Sequence, residues 1–161
     1  MHSCLISKAV EYAKPKYAKN DENHRWNHVE AVLKRSKEIY SELKYPEIDL
    51  ESLNLAIIFH DIDYSFPRQH VENSVLEAIA FLKENHRSNL EIAKVLQIML
   101  AHSTPHRKKF GDSDSLEGKI IYDADKSLLI NDFVSYKKYR ERLYLEETRN
   151  LVVNRLFDNW V

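Results

Sequence analysis

Apolar residues recur along this chain at three- and four-residue intervals, the spacing that gathers them on one face of a helix, and helix-stopping residues lie between the stripes. Leu5, Ala9, Val10 and Ala13 form a first stripe, expected to end near Pro15, which has no N–H to give the ladder. A polar loop is expected from Lys19 to Asn27. Val29, Val32, Leu33, Ile39, Tyr40 and Leu43 then predict a second helix, closed by Tyr45-Pro46. The almost unbroken apolar run from Leu53 to Phe59 predicts a third helix, with Asp49 or Ser52 able to cap it. Tyr64 to Pro67 reads as a loop.

Val71, Val75, Leu76, Ile79 and Leu82 mark a fourth helix. A fifth carries Leu90, Ala93, Leu96, Ile98 and Leu100, with Asn89 as its candidate cap and His102 at its end. The stretch from Thr104 to Asp114 is the most polar and reads as a loop. A sixth helix is expected from Ser115-Leu116-Glu117 through Leu129 and Ile130, and a seventh somewhere between Phe133 and Phe157. Loops of this size between amphipathic helices describe an all-α, single-domain helical bundle of about six to seven helices. Two glycines and four prolines argue against a turn-rich all-β fold. With 161 residues, 43% hydrophobic and 30% charged, the chain fits one globular domain spanning residues 1–161.

Formal charge of −1 removes the broad electrostatic attraction that draws a protein to nucleic acid or anionic membrane. The one short basic run, His106-Arg107-Lys108-Lys109, reads as a solvated loop, so nucleic acid is not expected as a partner. Cys4 is the single cysteine, which leaves no internal disulfide and no cysteine-rich zinc module. Imidazoles and carboxylates are then the available metal ligands, and a reducing, cytoplasmic setting is expected. No run approaches the roughly 20 apolar residues of a spanning helix, so no membrane partner is expected.

The chemistry concentrates at His60-Asp61, at the end of the third apolar run. Neighbouring helical residues point about 100° apart, so the two side chains converge only on something lying off the helix end. A metal ion would suit; a histidine at the negative end of the helix dipole is the plainer alternative. His24 and His28 are four apart, His70 opens the fourth helix, His102 closes the fifth, and Asp123-Ala124-Asp125 lies on the sixth. Singly, His24, His86 and His106 read as solvated, and Asp123 and Asp125 as surface charges beside Lys119 and Lys126. Together they mix nitrogen donors with hard carboxylates, a set that suits Mn, Fe, Zn, Ni or Co rather than Ca.

His24-Arg25-Trp26-Asn27-His28-Val29, then Phe59-His60-Asp61-Ile62, then His70-Val71-Glu72-Asn73-Ser74, His102 and Asp123-Ala124-Asp125-Lys126 follow one another in a telling order. That order resembles the HD-domain metal-dependent phosphohydrolase superfamily, over a motif-bearing core of residues 24–131 followed by C-terminal helices at 132–161. The resemblance implies that His28, His60, Asp61 and Asp125 hold a divalent metal. It prefers Asp125 because that aspartate directly follows a small residue, with Asp123 orienting a ligand from behind. His70 and His102 match positions that hold a second metal in binuclear members, with Asp61 bridging. Ser127 departs from the leucine usual after the last motif, and the Gly-Tyr-Pro segment of cyclic dinucleotide phosphodiesterases is missing.

The implied activity is hydrolysis of a phosphate ester or anhydride, with a nucleotide or related small phosphorylated molecule as substrate and one or two divalent ions (Mn, Fe, Ni, Co or Zn) per chain. Asp61, with His24 or Asp63 moving a proton, would carry catalysis. Arg25, Arg68, Lys126 and Arg107 could hold phosphate oxygens. Trp26, Tyr64 or Phe66 could stack on a base or belong to the core. Two alternatives stand beside this reading: a di-iron oxygenase on the same ligand set, and a non-catalytic metal-binding helical module. Tyr136, Tyr139 and Tyr144 could be core or the face of a homodimer.

Overall fold

In the computed structural model, residues 4–43, 47–66, 69–111 and 113–128 are described. They form seven α-helices: α1 (Cys4–Tyr17), α2 (Trp26–Leu43), α3 (Leu50–Phe59), α4 (His70–Glu84), α5 (Asn89–Leu100), α6 (Thr104–Phe110) and α7 (Leu116–Ser127). A 3-10 turn at Glu22–His24 precedes α2. No strand occurs among the described residues, so the fold is all-α. The chain divides into two compact units, Met1–Asp125 and Lys126–Val161. The helix expected between Phe133 and Phe157, and the tyrosines at 136, 139 and 144, lie outside the described residues. No helix of the described residues is long and apolar enough to cross a membrane.

Helix α3 is the centre of the first unit, and its sequence says why. A helix that is apolar nearly all round must be covered on every side, and Leu53, Leu55, Ala56, Ile57, Ile58 and Phe59 are all buried. The covering helices are α1, α2, α4 and α5. Tyr17, Leu82, Ile98, Met99, Ile120 and Ile121 complete the core around it. Burying a full aliphatic side chain stabilises by roughly 1.5–3 kcal/mol, so this helix concentrates much of the fold's apolar driving force in ten residues.

The structure departs from the sequence expectations in five places. Helix α1 runs through Pro15 to Tyr17, because Tyr17 continues the buried stripe of Ala9 and Ala13 and is itself fully buried. The expected Lys19–Asn27 loop contains the 3-10 turn and the start of α2. Ser88, not Asn89, caps α5, in a reciprocal pair with Glu91 that satisfies two otherwise orphaned N–H groups. The polar stretch after Ser103 holds the short helix α6, capped by Ser103 and stopped at Gly111, whose φ of 86° is left-handed. Leu76 and Leu90 sit on helical stripes but are exposed, while Ser74, Ala78 and Phe81 take the buried face of α4.

Two local devices place α7. Asp49 caps α3 through the Ser52 N–H at 3.0 Å, and its own N–H donates to Glu117 Oε1 at 3.0 Å. Gly118 meets the Ser113 side chain so closely that a Cβ there would fall 2.6 Å from the Ser113 Cβ and 3.0 Å from that of Ala101. Gly118→Ala is expected to cost about 1–3 kcal/mol through overpacking, read as a lowered midpoint in urea.

Burial raises the Asp49 carboxyl, but the Lys94 ammonium at 2.7 Å and the Ser52 N–H and hydroxyl outweigh it and hold the pKa at about 2, below the ordinary 3.8. Its contribution is therefore complete above pH 3.8 and is lost as pH falls from there toward about 2. Asp49→Ala should cost about 1 kcal/mol at neutral pH and flatten the acid limb of stability measured by chemical unfolding across that window.

Candidate metal centre

Five helix ends in the first unit aim side chains at one region. His28 lies in the first turn of α2, His60 and Asp61 follow α3, His70 opens α4, His102 follows α5, and Asp125 lies near the end of α7. Carbonyls in the last turns of α3 and α5 orient the two buried imidazoles. His60 Nδ1 lies 2.7 Å from the Ile57 carbonyl, and His102 Nδ1 bonds the Met99 carbonyl, each three residues back. A carbonyl only accepts, so Nδ1 carries the proton and Nε2 presents a lone pair.

The ligand atoms form two groups, His28 with His60 and Asp125, and His70 with His102 and Asp61; within each, all lie within 4.8 Å of one another. In the first, His28 Nε2 is 3.2 Å from His60 Nε2 and 3.1 Å from Asp125 Oδ1. His60 Nε2 is 3.4 Å from Asp61 Oδ2. In the second, Asp61 Oδ1 is 3.5 Å from His102 Nε2 and 3.6 Å from His70 Nε2. Two ligands each about 2.1 Å from one cation lie roughly 3.0–3.4 Å apart at octahedral or tetrahedral angles, so the spacings fit a divalent ion with small adjustment. The two oxygens of Asp61 face different groups, the arrangement of a bridging carboxylate.

The electrostatics also suit a cation. His60 is fully buried and burial pushes its imidazole down to about 4, against the opposing pull of Asp61. Burial raises the Asp61 carboxyl, but the His60 and His102 imidazoles more than reverse this and hold it far below the ordinary carboxylate range. Both groups are thus in their ligating forms at neutral pH. Asp61 Oδ1 is buried and makes no hydrogen bond, the situation that a metal–oxygen bond relieves.

Two residues absent from the sequence expectations frame this centre. The Tyr17 hydroxyl accepts the Asp61 N–H at 3.3 Å. Asn20, buried at the end of α1, donates to the His24 and Asp61 carbonyls at 2.9 Å each and accepts the Tyr64 N–H at 3.1 Å. Tyr17 could have been found as the fourth residue after Ala13 in the first stripe. Asn20 carries no sequence signal, since its partners lie up to 44 positions away.

The remaining candidates divide. His24 lies at the edge, its Nδ1 within 3.0 Å of both Asp21 oxygens and its ring stacked on Tyr64 at 3.6 Å. Asp63 turns its Oδ1 onto the Ser65 N–H, and its own N–H donates to the Ser74 hydroxyl. Arg25 and Asp123 are exposed, and Asp123 is in neither group. Arg107 lies over the Tyr122 ring at 3.6 Å. Arg68 lies outside the described residues, and Lys126 belongs to the second unit. Trp26 packs edge-on against Tyr17 and donates to Glu30, whereas Phe66 is 65% exposed.

The family model described as HD domain matches residues 25–128, more than half of the chain, and both ligand groups lie within that span. No curated protein and no solved structure matches the chain.

Binding a divalent ion only in the folded state stabilises by about 2.7 kcal/mol at 100 times Kd. Adding Mn²⁺ or Zn²⁺ to chelator-treated protein should therefore raise its melting temperature, and Asp61→Ala should abolish that rise. The neutral His60 is favoured by folding, so its contribution to stability is complete above pH 6.5 and falls as pH drops toward about 4. Melting curves of the metal-free protein across that window test this, with His60→Gln as the variant whose acid limb flattens.

Proposed function

The chain belongs to the HD domain family, whose members are mostly metal-dependent phosphohydrolases, and from that premise we propose that it hydrolyses a phosphate ester or anhydride of a small molecule, with a nucleotide as the leading substrate class. The observation that carries the reading is the buried Asp61 carboxylate, with one oxygen facing His60 and the other facing His70 and His102. The residues that would hold the metal are His28, His60, Asp61 and Asp125, with His70 and His102 completing a second position. A divalent ion held there would lower the pKa of a coordinated water toward about 7 and offset charge on phosphoryl oxygens.

The chain's own residues supply the rest. Nδ1 of His24 donates to Asp21, which fixes the ring and leaves Nε2 as the atom that moves a proton. Arg25, exposed beside it, offers a forked donor that matches two phosphate oxygens. Lys126 and Arg68 are the further cations proposed for the substrate. Asp63 has a more indirect part, since its Oδ1 is engaged by the Ser65 N–H within the loop after Asp61.

Tyr64 is a poor base-stacking platform, because His24 covers one face and His70 lies 4.6 Å from its ring centre. Phe66, largely exposed, is the aromatic of this loop that a planar substrate could reach.

The test is metal analysis of the purified protein, followed by a turnover screen with Mn, Fe, Co, Ni and Zn against nucleotides and a generic phosphodiester. Turnover that needs an added or retained metal, and that falls to background in Asp61→Ala with helicity retained, is the expected result. Iron with an optical signature and oxygen consumption would assign the oxygenase chemistry instead. A folded protein that binds no metal and turns over nothing would make the chain a non-catalytic module.

A further inference from the structure

Tyr17, the last residue of α1, and Asn20, in the turn that follows it, reach the metal centre through side chains that lie in neither ligand group. We propose that Asn20, supported by Tyr17, is a positioning residue that sets the aim of the Asp61 carboxylate between the two groups; the inference rests on the metal-centre reading above. Asp61 Oδ1 makes no hydrogen bond, so the placement of the main chain that carries the carboxylate bears directly on where that oxygen points. Both polar atoms of that residue's main chain are held by side chains of the last residue of α1 and of the turn after it. The Asp61 N–H donates to the Tyr17 hydroxyl at 3.3 Å, and the Asp61 carbonyl accepts from Asn20 Nδ2 at 2.9 Å.

Asn20 is suited to this task by its inventory of donors and acceptors. Its one nitrogen reaches two carbonyls, those of Asp61 and His24, at the same distance of 2.9 Å, and its oxygen accepts the Tyr64 N–H. A short side chain with two donors and an acceptor is an amide; aspartate would set an oxygen against two carbonyls, and serine could serve one partner. The segments so joined are the ones that carry the centre. His24 leads into the turn bearing His28, and Tyr64 stacks on His24 and packs its ring against His70. Burial of Asn20 and Tyr17, at 6% and 0% exposure, keeps water from replacing these bonds.

The full-length chain is the material for the test, with Mn²⁺ affinity measured by titration calorimetry beside the urea midpoint and, where turnover is found, kcat and KM. Asn20→Ala is expected to keep cooperative unfolding and to bind Mn²⁺ about 10–100-fold more weakly, the usual loss when an outer support of a metal ligand is removed. Asn20→Asp, of the same shape, should lose at least as much. The kcat should fall with KM little changed. Should Asn20→Ala fail to fold, Tyr17→Phe removes the acceptor of the Asp61 N–H while keeping the packed ring, and a smaller but measurable loss of Mn²⁺ affinity is expected.

Wild-type Mn²⁺ affinity in a folded Asn20→Ala, or in Tyr17→Phe where that variant is needed, overturns the proposal whatever happens to stability. A wild type that binds Mn²⁺ tightly but hydrolyses none of the substrates would refute the phosphohydrolase reading, and the affinity comparison would still decide the role of Asn20. A wild type that binds no divalent ion at all would overturn both.

Discussion

A carboxylate withdrawn from water must be balanced, and Asp61 is the group around which this fold is arranged. The penalty for burying an isolated charge is several kcal/mol even after relaxation, and Asp61 is 5% exposed. Among the described residues the groups that approach it are imidazoles: His60, His70 and His102 all come within 3.6 Å. These contacts hold the Asp61 carboxyl below the ordinary carboxylate range, while burial keeps His60 neutral near pH 7, so that ring brings no full positive charge of its own. The arrangement makes electrostatic sense when a cation stands between them. The apolar completeness of α3 follows from the same requirement, since a helix covered on all sides carries its terminal residues into the interior.

The two deeply buried histidines show how a helical protein prepares nitrogen ligands. Each lies just past the end of its helix and bonds the carbonyl three residues before it, so carbonyls of the last helical turn become the clamps that fix ring rotation and tautomer. A histidine in mid-helix has no such carbonyl available, because its neighbours are already bonded along the ladder. This is why the candidate ligands cluster at helix ends, and why the sequence signal is a histidine at the boundary of an apolar run rather than one inside it.

That boundary signal makes much of the centre legible in the amino-acid sequence alone. His28, His60, Asp61, His70, His102 and Asp125 stand at ends of periodic segments, and the family resemblance puts them in one set. The preference for Asp125 over Asp123 agrees with helix geometry: residues two apart point in different directions, and here Asp125 is buried while Asp123 is exposed. What escapes a reading of the chain is long-range. Asn20 looks like one polar residue in a polar stretch, and its meaning comes from partners in the turn after α3. The fold is similarly legible where periodicity is strong. Periodicity misleads at Pro15, where burial of Tyr17 outweighs a lost helix bond, and around α6, where Ser103, Pro105 and Gly111 supply helix signals that a polar composition hides. The Ser-x-x-Glu signature at Ser88 is present in the sequence and decides the cap of α5.

The two ligand groups share one pattern of burial. Each has one partly exposed imidazole, His28 in the first and His70 in the second with side chains 17% and 22% exposed, and two buried members. The second group borders the loop that carries Tyr64 and Phe66, through the contact of His70 with the Tyr64 ring. The ring of Tyr64 bridges His70 to His24, and the His24 ring in turn meets that of His28 edge-on, so the partly exposed imidazoles of both groups belong to one chain of aromatic contacts. Because a single carboxylate spans the two, displacing it by even a fraction of an ångström changes both positions at once, so its main-chain supports carry as much of the design as the ligands.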